Sequence, residues 1–396
     1  MSVFSDKVKE FAAELIQNDK KDDETAFLEA AKKIEAMRKF KLTDFKDAKD
    51  LLQEEELKLY KQKEKNGKVI EKSVIETIET AVKLVEKARE LRRVNSRLTS
   101  KVDTNILNAT PFYPGRSKKL IDQGKKQGYI TFEQEGVRKL TYHNDMGLLL
   151  TLNDAKTLFA LFALWDDQGQ NSWLSFTEYQ LLDKMNMGYG GRQYQMLRDS
   201  LEKLRNTSVV FQDAYDIKTG TRYVTERFNL IIADREFVDE DQSGRVRSRK
   251  YEIQFSPHIY ESIENGYYSL ISLALWDELR TDASKAIYSM ISGIGNMANK
   301  EEYIREDQTY LLPINVVYKQ LKLESPKPVR NKEVVERACE DLVNAEVIEK
   351  FYFMGSEKGN RVHSLVIKPS EWLINILSKT KQKPLINGEQ LNLPIN

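Results

Sequence analysis

Leu201-Glu-Lys-Leu204-Arg-Asn206-Thr-Ser-Val209-Val-Phe211 reads as the end of a helix running into a strand. Cys339-Glu-Asp-Leu342-Val-Asn344-Ala-Glu-Val347-Ile348 reads the same way. At one fixed offset Leu204 falls on Leu342, Asn206 on Asn344 and Val209 on Val347, and Arg192 falls on Arg330 near the start of each helix. An earlier helix leads each copy, opening with Asp154-Ala-Lys156 in the first and Asp282-Ala-Ser-Lys285 in the second. Helix, shorter helix, basic-headed helix and β-hairpin is the order of a winged-helix module. The expected fold class is therefore α+β, with two tandem winged-helix domains that together read a long stretch of duplex DNA.

In the first copy Asp154 is the expected N-cap ahead of Leu158, Phe159, Leu161, Phe162 and Leu164. A helix opened by Ser175 or Thr177 carries Tyr179, Leu181, Leu182 and Met185. After the turn Gly188-Tyr-Gly-Gly191, the helix Arg192–Leu204 turns Leu197, Leu201 and Leu204 inward. Strands follow at Val209–Phe211 and Tyr223–Ile232, joined around Ile217–Gly220, with a further strand at Lys250–Phe255. An upstream hairpin pairs Tyr129–Phe132 with Val137–Tyr142. In the second copy the third helix runs from about Asn331 to Asn344. Its hairpin, Val347–Met354 with Arg361–Ile367, turns at Gly355–Gly359.

Residues 1–98 read as helices alone, an all-α helical bundle or coiled-coil segment. Val74, Ile78, Ala81, Val85 and Ala88 step by four and three along one seam. Asn105, Asn108, Thr110, Pro111, Pro114 and Gly115 mark 99–118 as a linker. The first winged-helix domain is then 119–256, the second 257–380, and 381–396 a flexible tail. The N-terminal helices read as a scaffold or a dimerisation surface.

With 396 residues there is room for two or three cores, and 40% hydrophobic with 31% charged residues is a globular composition. The opening Met1-Ser-Val-Phe-Ser-Asp-Lys7 lacks a signal peptide's pattern, and no apolar run suffices for a membrane span. One cysteine, Cys339, excludes an internal disulfide and fits a cytoplasmic protein. The net charge, +1 from 62 basic and 61 acidic residues, is low for a nucleic-acid binder. Read locally, Arg116, Lys118, Lys119, Lys125 and Lys126 crowd a stretch with one acid, Asp122, and Arg245, Arg247, Arg249 and Lys250 crowd one with none. A solvated face is the alternative reading of any one such cluster.

The major groove accepts one helix, apolar on its inner side and carrying Arg, Lys, Asn or Gln outside. In the first copy the candidates are Arg192, Gln193, Gln195 and Arg198, with Tyr189 and Tyr194 set to pack on sugar and phosphate. In the second they are Lys327, Arg330, Asn331, Lys332 and Arg337. The wing candidates Lys218, Arg222, Lys358 and Arg361, with Arg245, Arg247 and Arg249, would lie against phosphates and supply affinity rather than sequence choice. No GxxxxGK[ST] stretch occurs, and His143, His258 and His363 lie far apart. No catalytic residue, metal site or cofactor is expected, and the chain does not read as an enzyme.

Leu158-Phe-Ala-Leu-Phe-Ala-Leu-Trp165, Leu197–Thr207, Asp282-Ala-Ser-Lys-Ala-Ile-Tyr288 and Leu342–Ile348 carry a further likeness. Through them residues from about 117 to 370 resemble plasmid replication initiator proteins with tandem winged helices. That resemblance implies binding to repeated origin sites, origin melting, recruitment of host helicase or initiator proteins, and a regulated homodimer. The helices of 1–98 have no counterpart in it. A winged-helix transcriptional repressor or partition factor is the alternative within DNA binding. A protein-interaction scaffold, favoured by the near-neutral charge, is the alternative outside it.

Overall fold

The computed structural model describes residues 3–37, 40, 42–66, 72–93, 98–115, 117–135, 139–212, 225–297, 300–323, 325, 328–355 and 362–378. The chain divides into two compact units, Met1–Leu98 and Thr99–Asn396. In the first, helices α1 (Val3–Gln17), α2 (Glu24–Glu35), α3 (Leu42–Asn66) and α4 (Lys72–Arg93) surround a core that includes Phe4, Val8, Ile34, Phe45, Leu52 and Val85. Asp23 caps α2, accepting from the amides of Thr25 and Ala26. Along α4 the buried row is Ile75, Ile78, Ala81, Val82, Leu84, Val85 and Ala88. Val74 is exposed, which corrects its place in the expected seam: Ile75, one residue on, faces the core instead.

The second unit opens with β1 (Thr99–Asp103), α5 (Thr104–Ala109), α6 (Lys118–Gln127), β2 (Ile130–Glu135) and β3 (Lys139–Asn144). Next come α7 (Leu152–Asp167), β4 (Leu174–Thr177), α8 (Glu178–Lys184) and α9 (Gly191–Arg205). β5 (Thr207–Gln212), β6 (Thr225–Asn229), β7 (Ile231–Glu240) and β8 (Val246–Phe255) follow, then α10 (Pro257–Glu264), β9 (Tyr268–Ser272) and α11 (Leu273–Glu278). The chain continues through α12 (Asp282–Gly295), β10 (Tyr310–Pro313), α13 (Ile314–Gln320) and α14 (Pro328–Asn344), and ends in β11 (Ile348–Gly355), β12 (Val362–Pro369) and α15 (Glu371–Ser378).

One order of elements recurs. α7-β4-α8-α9 is followed by β7 and β8, and α12-β10-α13-α14 by β11 and β12. The sheets agree: β4-β8-β7 in one set and β10-β12-β11 in the other, all antiparallel, with the last strand central. α9 packs on α7, and α14 on α12. The two sets differ by an insertion. β5 and β6 leave the first three-stranded sheet and join β2 and β3 in a sheet ordered β2-β3-β5-β6. The expected hairpin straight after the first basic-headed helix is present, since β5 pairs antiparallel with β6. It lies in a different sheet, however, because β3 takes the other edge of β5, and the strands that stand in the place of β11 and β12 come later, at β7 and β8.

The openings of the two sets are also alike. Thr151, rather than Asp154, is the N-cap of α7; Asp154 reaches back to the Thr151 amide at 2.7 Å. Thr281 caps α12 in the same way, with Ser284 as its return partner. Both are capping boxes, which satisfy otherwise orphaned amides of the first turn.

The expected linker over 99–118 is corrected too. β1 pairs with β9, α5 is buried along its length, and Val102, Ile106, Leu107 and Phe112 belong to the core. Asp103 caps α5 by accepting from the Ile106 amide at 2.8 Å. Asn105, Asn108 and Thr110, which read as linker residues, are all buried. No break falls between 256 and 257 either, since a single hydrophobic cluster runs from Val102 to Leu373. The expected tail over 381–396 lies outside the described residues.

Two close approaches need glycine. A Cβ on Gly124 of α6 would stand 2.1 Å from the Gly147 carbonyl, and Gly147 itself has φ +68. On α12, a Cβ at Gly293 would stand 2.4 Å from Asn108 Oδ1 and 2.9 Å from Leu107 Cβ. Replacing Gly293 with alanine is expected to force α12 away from α5 and cost about 1 to 3 kcal/mol in urea unfolding. A wild-type midpoint and slope would show that α5 yields without cost.

Each unit has its own cluster of buried apolar side chains, so each is expected to fold without the other. A fragment of residues 99–396 should melt cooperatively by circular dichroism. A gradual, featureless melt would show that the helices of the first unit complete its core.

Candidate nucleic-acid interface

α9 takes its direction from its apolar stripe. Leu197, Leu201 and Leu204 are buried, and Arg192 and Gln195 are exposed on the other side. Gln193 and Tyr194 are half-buried, and Gln195 donates to Asp199 at 2.7 Å. Tyr189, 50% exposed in the turn before the helix, stacks on Tyr179 with ring centroids 4.6 Å apart and donates to Asp183 at 2.9 Å. Hydrogen bonding to Tyr179, desolvation and Asp183 together hold the Tyr189 proton well above the usual phenol range.

Arg198 is differently placed. Its Nε donates to Glu178 Oε1 at 2.7 Å and its Nη2 to Oε2 at 3.0 Å, a bidentate pair that raises its pKa further. Glu178 is only 6% exposed, and the Tyr251 hydroxyl lies 3.2 Å from Oε1. Thr177 fixes this carboxylate at the first turn of α8, in a capping box with Gln180.

β7 and β8 form a long ribbon whose outer half is exposed on both strands. Strand alternation puts Tyr251, Ile253 and Phe255 on the core face of β8, and the same face continues outward as Arg249 and Arg247. These two arginines therefore point to the α8–α9 side, where Arg249 pairs with Glu236. With Tyr179, Tyr194 and Arg198 they line an open cleft of about 450 Å³. Arg245 lies at the ribbon's tip, just past the turn, and is exposed.

In α14, Val335, Ala338, Cys339 and Leu342 face the core, while Arg330 and Arg337 are exposed. Lys332 is half-buried above the Phe353 ring, 5.1 Å from its centroid. Asn331 corrects the expected outward register: it is buried and donates to the Ser325 carbonyl at 3.3 Å, closing the turn before the helix. Burial pushes the Cys339 thiol up to about 12. Lys327, Lys218, Arg222, Lys358 and Arg361 lie outside the described residues. The strands flanking Lys218 and Arg222, β5 and β6, belong to the four-stranded sheet and not to the ribbon.

Glu178, Glu236 and Tyr251 escaped sequence reasoning. Glu178 looks like any acid in a first helical turn, and the other two like alternate strand residues. Only the pairing of Tyr251 with Glu236 across the ribbon, and the packing of α8 on β8, join them. His143 sits between Thr131 and Asp145, and His258 stacks on Phe228 at 4.6 Å. Among the described residues no group of three or more His, Cys, Asp or Glu could hold a metal ion, and no helix is long and apolar enough to cross a membrane.

The stretch holding the α7–α9 helices and the ribbon is also the stretch a known family recognises. Residues 119–303 match the family of Replication initiator protein A. The match opens in α6 and ends just beyond α12, so it takes in the whole first set and the first helix of the second. No curated protein matches this sequence. Among solved structures it is similar to domains 2 and 3 of RctB, with 14% identity and a TM-score of 0.43 over 69% of this chain and 99% of that one. It is also similar to the Pi initiator protein in complex with iteron DNA, with 11% identity and a TM-score of 0.39 over 69% and 97%.

The ribbon's tip depends on one carboxylate. Asp241 accepts from the amides of Ser243 and Arg245 and from the Ser243 hydroxyl. The Ser243 hydroxyl, chiefly, holds its pKa below the ordinary 3.8. A lowered pKa makes this contribution present above the ordinary value and lost as pH falls through the lower, folded-state one. The Ser243 and Arg245 amide resonances should therefore titrate with a midpoint below 3.8. A midpoint at or above that value would show the turn is held by its backbone alone.

Proposed function

We propose that this protein is a sequence-specific, double-stranded DNA-binding initiator of plasmid replication. It acts in the cytoplasm on repeated origin sites, where it recruits host replication proteins. The match of residues 119–303 to the replication initiator family carries this reading. The repeated order of helices and strands supports it: α7-β4-α8-α9-β7-β8 and α12-β10-α13-α14-β11-β12 are taken as two winged-helix modules. The helices of residues 1–98 are taken as a bundle preceding them. α9 and α14 are the groove-facing helices, headed by the exposed Arg192 and Arg330. The β7–β8 ribbon is the wing of the first module, with Arg245, Arg247 and Arg249 near phosphates. The function is binding rather than catalysis.

Footprinting on DNA flanking the gene should reveal repeated protected sites. Affinity should fall with salt at a log–log slope of about −0.9 per phosphate contact. Salt-insensitive binding, or no protected site, would favour a protein-interaction scaffold. Arg192→Ala and Arg330→Ala are each expected to leave folding nearly intact, cost about 1 to 3 kcal/mol of binding, and relax preference at one or two base pairs. The positions relaxed by the two variants should fall in separate parts of the site. Wild-type selectivity in both would remove these helix heads from the interface.

A further inference from the structure

The cleft between α8, α9 and the ribbon contains a buried acid on a surface taken to meet a polyanion. Glu178 is nearly inaccessible, and both its oxygens are occupied by Arg198, with Tyr251 sharing one of them. The Tyr251 hydroxyl also stands 3.4 Å from Glu236, which pairs with Arg249. Its single proton can serve one carboxylate at a time, so it couples the two pairs. The chain Arg198–Glu178–Tyr251–Glu236–Arg249 thus runs from α9 through α8 into β8 and β7 without a break.

A buried carboxylate is costly, and near phosphates it adds repulsion. Its position points to what it does. A guanidinium grips phosphate with the same two-pronged geometry it uses on carboxylate. Glu178 fills the prong of Arg198 that a phosphate would otherwise take. Freed from it, Arg198 would become one more sequence-independent phosphate ligand in a cleft that already holds Arg247 and Arg249. The helix would also lose its tie to the ribbon.

We propose that Glu178 is a specificity-determining residue: it withholds Arg198 from phosphate and, through Tyr251, fixes α9 at a set distance from the β7–β8 ribbon. This rests on the DNA-binding reading above. Glu178 touches no DNA itself and acts through Arg198, so it is a positioning residue.

The test compares the full-length wild-type protein, Glu178→Gln, Glu178→Gln/Arg198→Gln and Tyr251→Phe, each titrated against its footprinted site and against random-sequence duplex over a salt series. Glu178→Gln should bind random duplex about threefold more tightly at low salt, with a slope steeper by about 0.9, because one arginine is released. Its ratio of site to random affinity should fall. The double variant, with no arginine to release, should return random-duplex affinity and slope to wild-type values. Tyr251→Phe keeps both charges; it should lower the ratio without strengthening random binding, and it serves if Glu178→Gln does not fold. Equal weakening on both DNAs in Glu178→Gln would make Glu178 merely structural and overturn the proposal, as would an unchanged ratio in a wild-type protein that binds its site. A wild-type protein without salt-dependent duplex binding would instead remove the DNA reading on which the proposal rests.

Discussion

In both sets of elements a side chain near the C-terminal end of the third helix ties it to the start of the first helix. Lys203 of α9 reaches Asp154 at 3.1 Å, the residue that closes the capping box of α7. In the matching place on α14, Asp341 accepts from the Arg280 amide at 2.8 Å and from the Ser284 hydroxyl at 2.6 Å at the start of α12. The chemistry differs: in one case a lysine meets a capping carboxylate, in the other a carboxylate meets free amides at the positive end of a helix. The geometry is the same. Each contact pins the C-terminal half of the third helix, so its head must project away from the core. The exposure of Arg192 and Arg330 and the placing of the strands that follow depend on that anchoring.

The two sets do not stand apart. Val102, Ile106, Leu107 and Phe112 bring β1, α5 and the turn beyond into the core that both share. That meeting place is unusually polar. Asn105 and Asn108 are buried with side-chain atoms that have no partner among the described residues, as are the hydroxyls of Ser289 and Ser292 on α12. Gln320 of α13 bonds to the Asn108 carbonyl at 3.3 Å and to the Thr110 hydroxyl. Unpaired buried polar groups cost about 1 to 3 kcal/mol each, so at this seam the Gln320 bonds and the close approach at Gly293 stand against that cost.

The near-neutral total charge has a local explanation at the candidate interface. Arg198 and Arg249 face acids that are themselves built into the fold, Glu178 and Glu236. Arg192, Arg245 and Arg247 are exposed beside them. A sum over residues counts paired and exposed arginines alike, whereas a polyanion meets only the exposed ones.

The sequence by itself determined what depends on near neighbours. The stripe Leu197, Leu201 and Leu204, the matching stretch that ends at Leu342, and the basic heads at Arg192 and Arg330 are periodic features of single helices, legible without any partner. The stretches Leu158–Trp165, Leu197–Thr207 and Asp282–Tyr288, equally local, lie within residues 119–303, whose match bears out the likeness to replication initiators that they helped to carry. What failed were inferences that needed strand partners. Asn105 and Asn108 have the composition of a linker, yet β1 finds β9 more than 150 residues away and draws α5 inside with it. The strand after α9 pairs with the next one, β6, as its hairpin pattern suggests, but β3, upstream, takes its other edge and draws the hairpin into a sheet apart from the β7–β8 ribbon. Asn331 has a polar side chain suited to a groove, yet the turn at Ser325 takes it inward. Glu178 was silent because its role belongs to four other residues on three elements. Periodicity is written into a single stretch of chain; pairing between distant strands, and the polar groups it brings together, is decided only when the chain closes on itself.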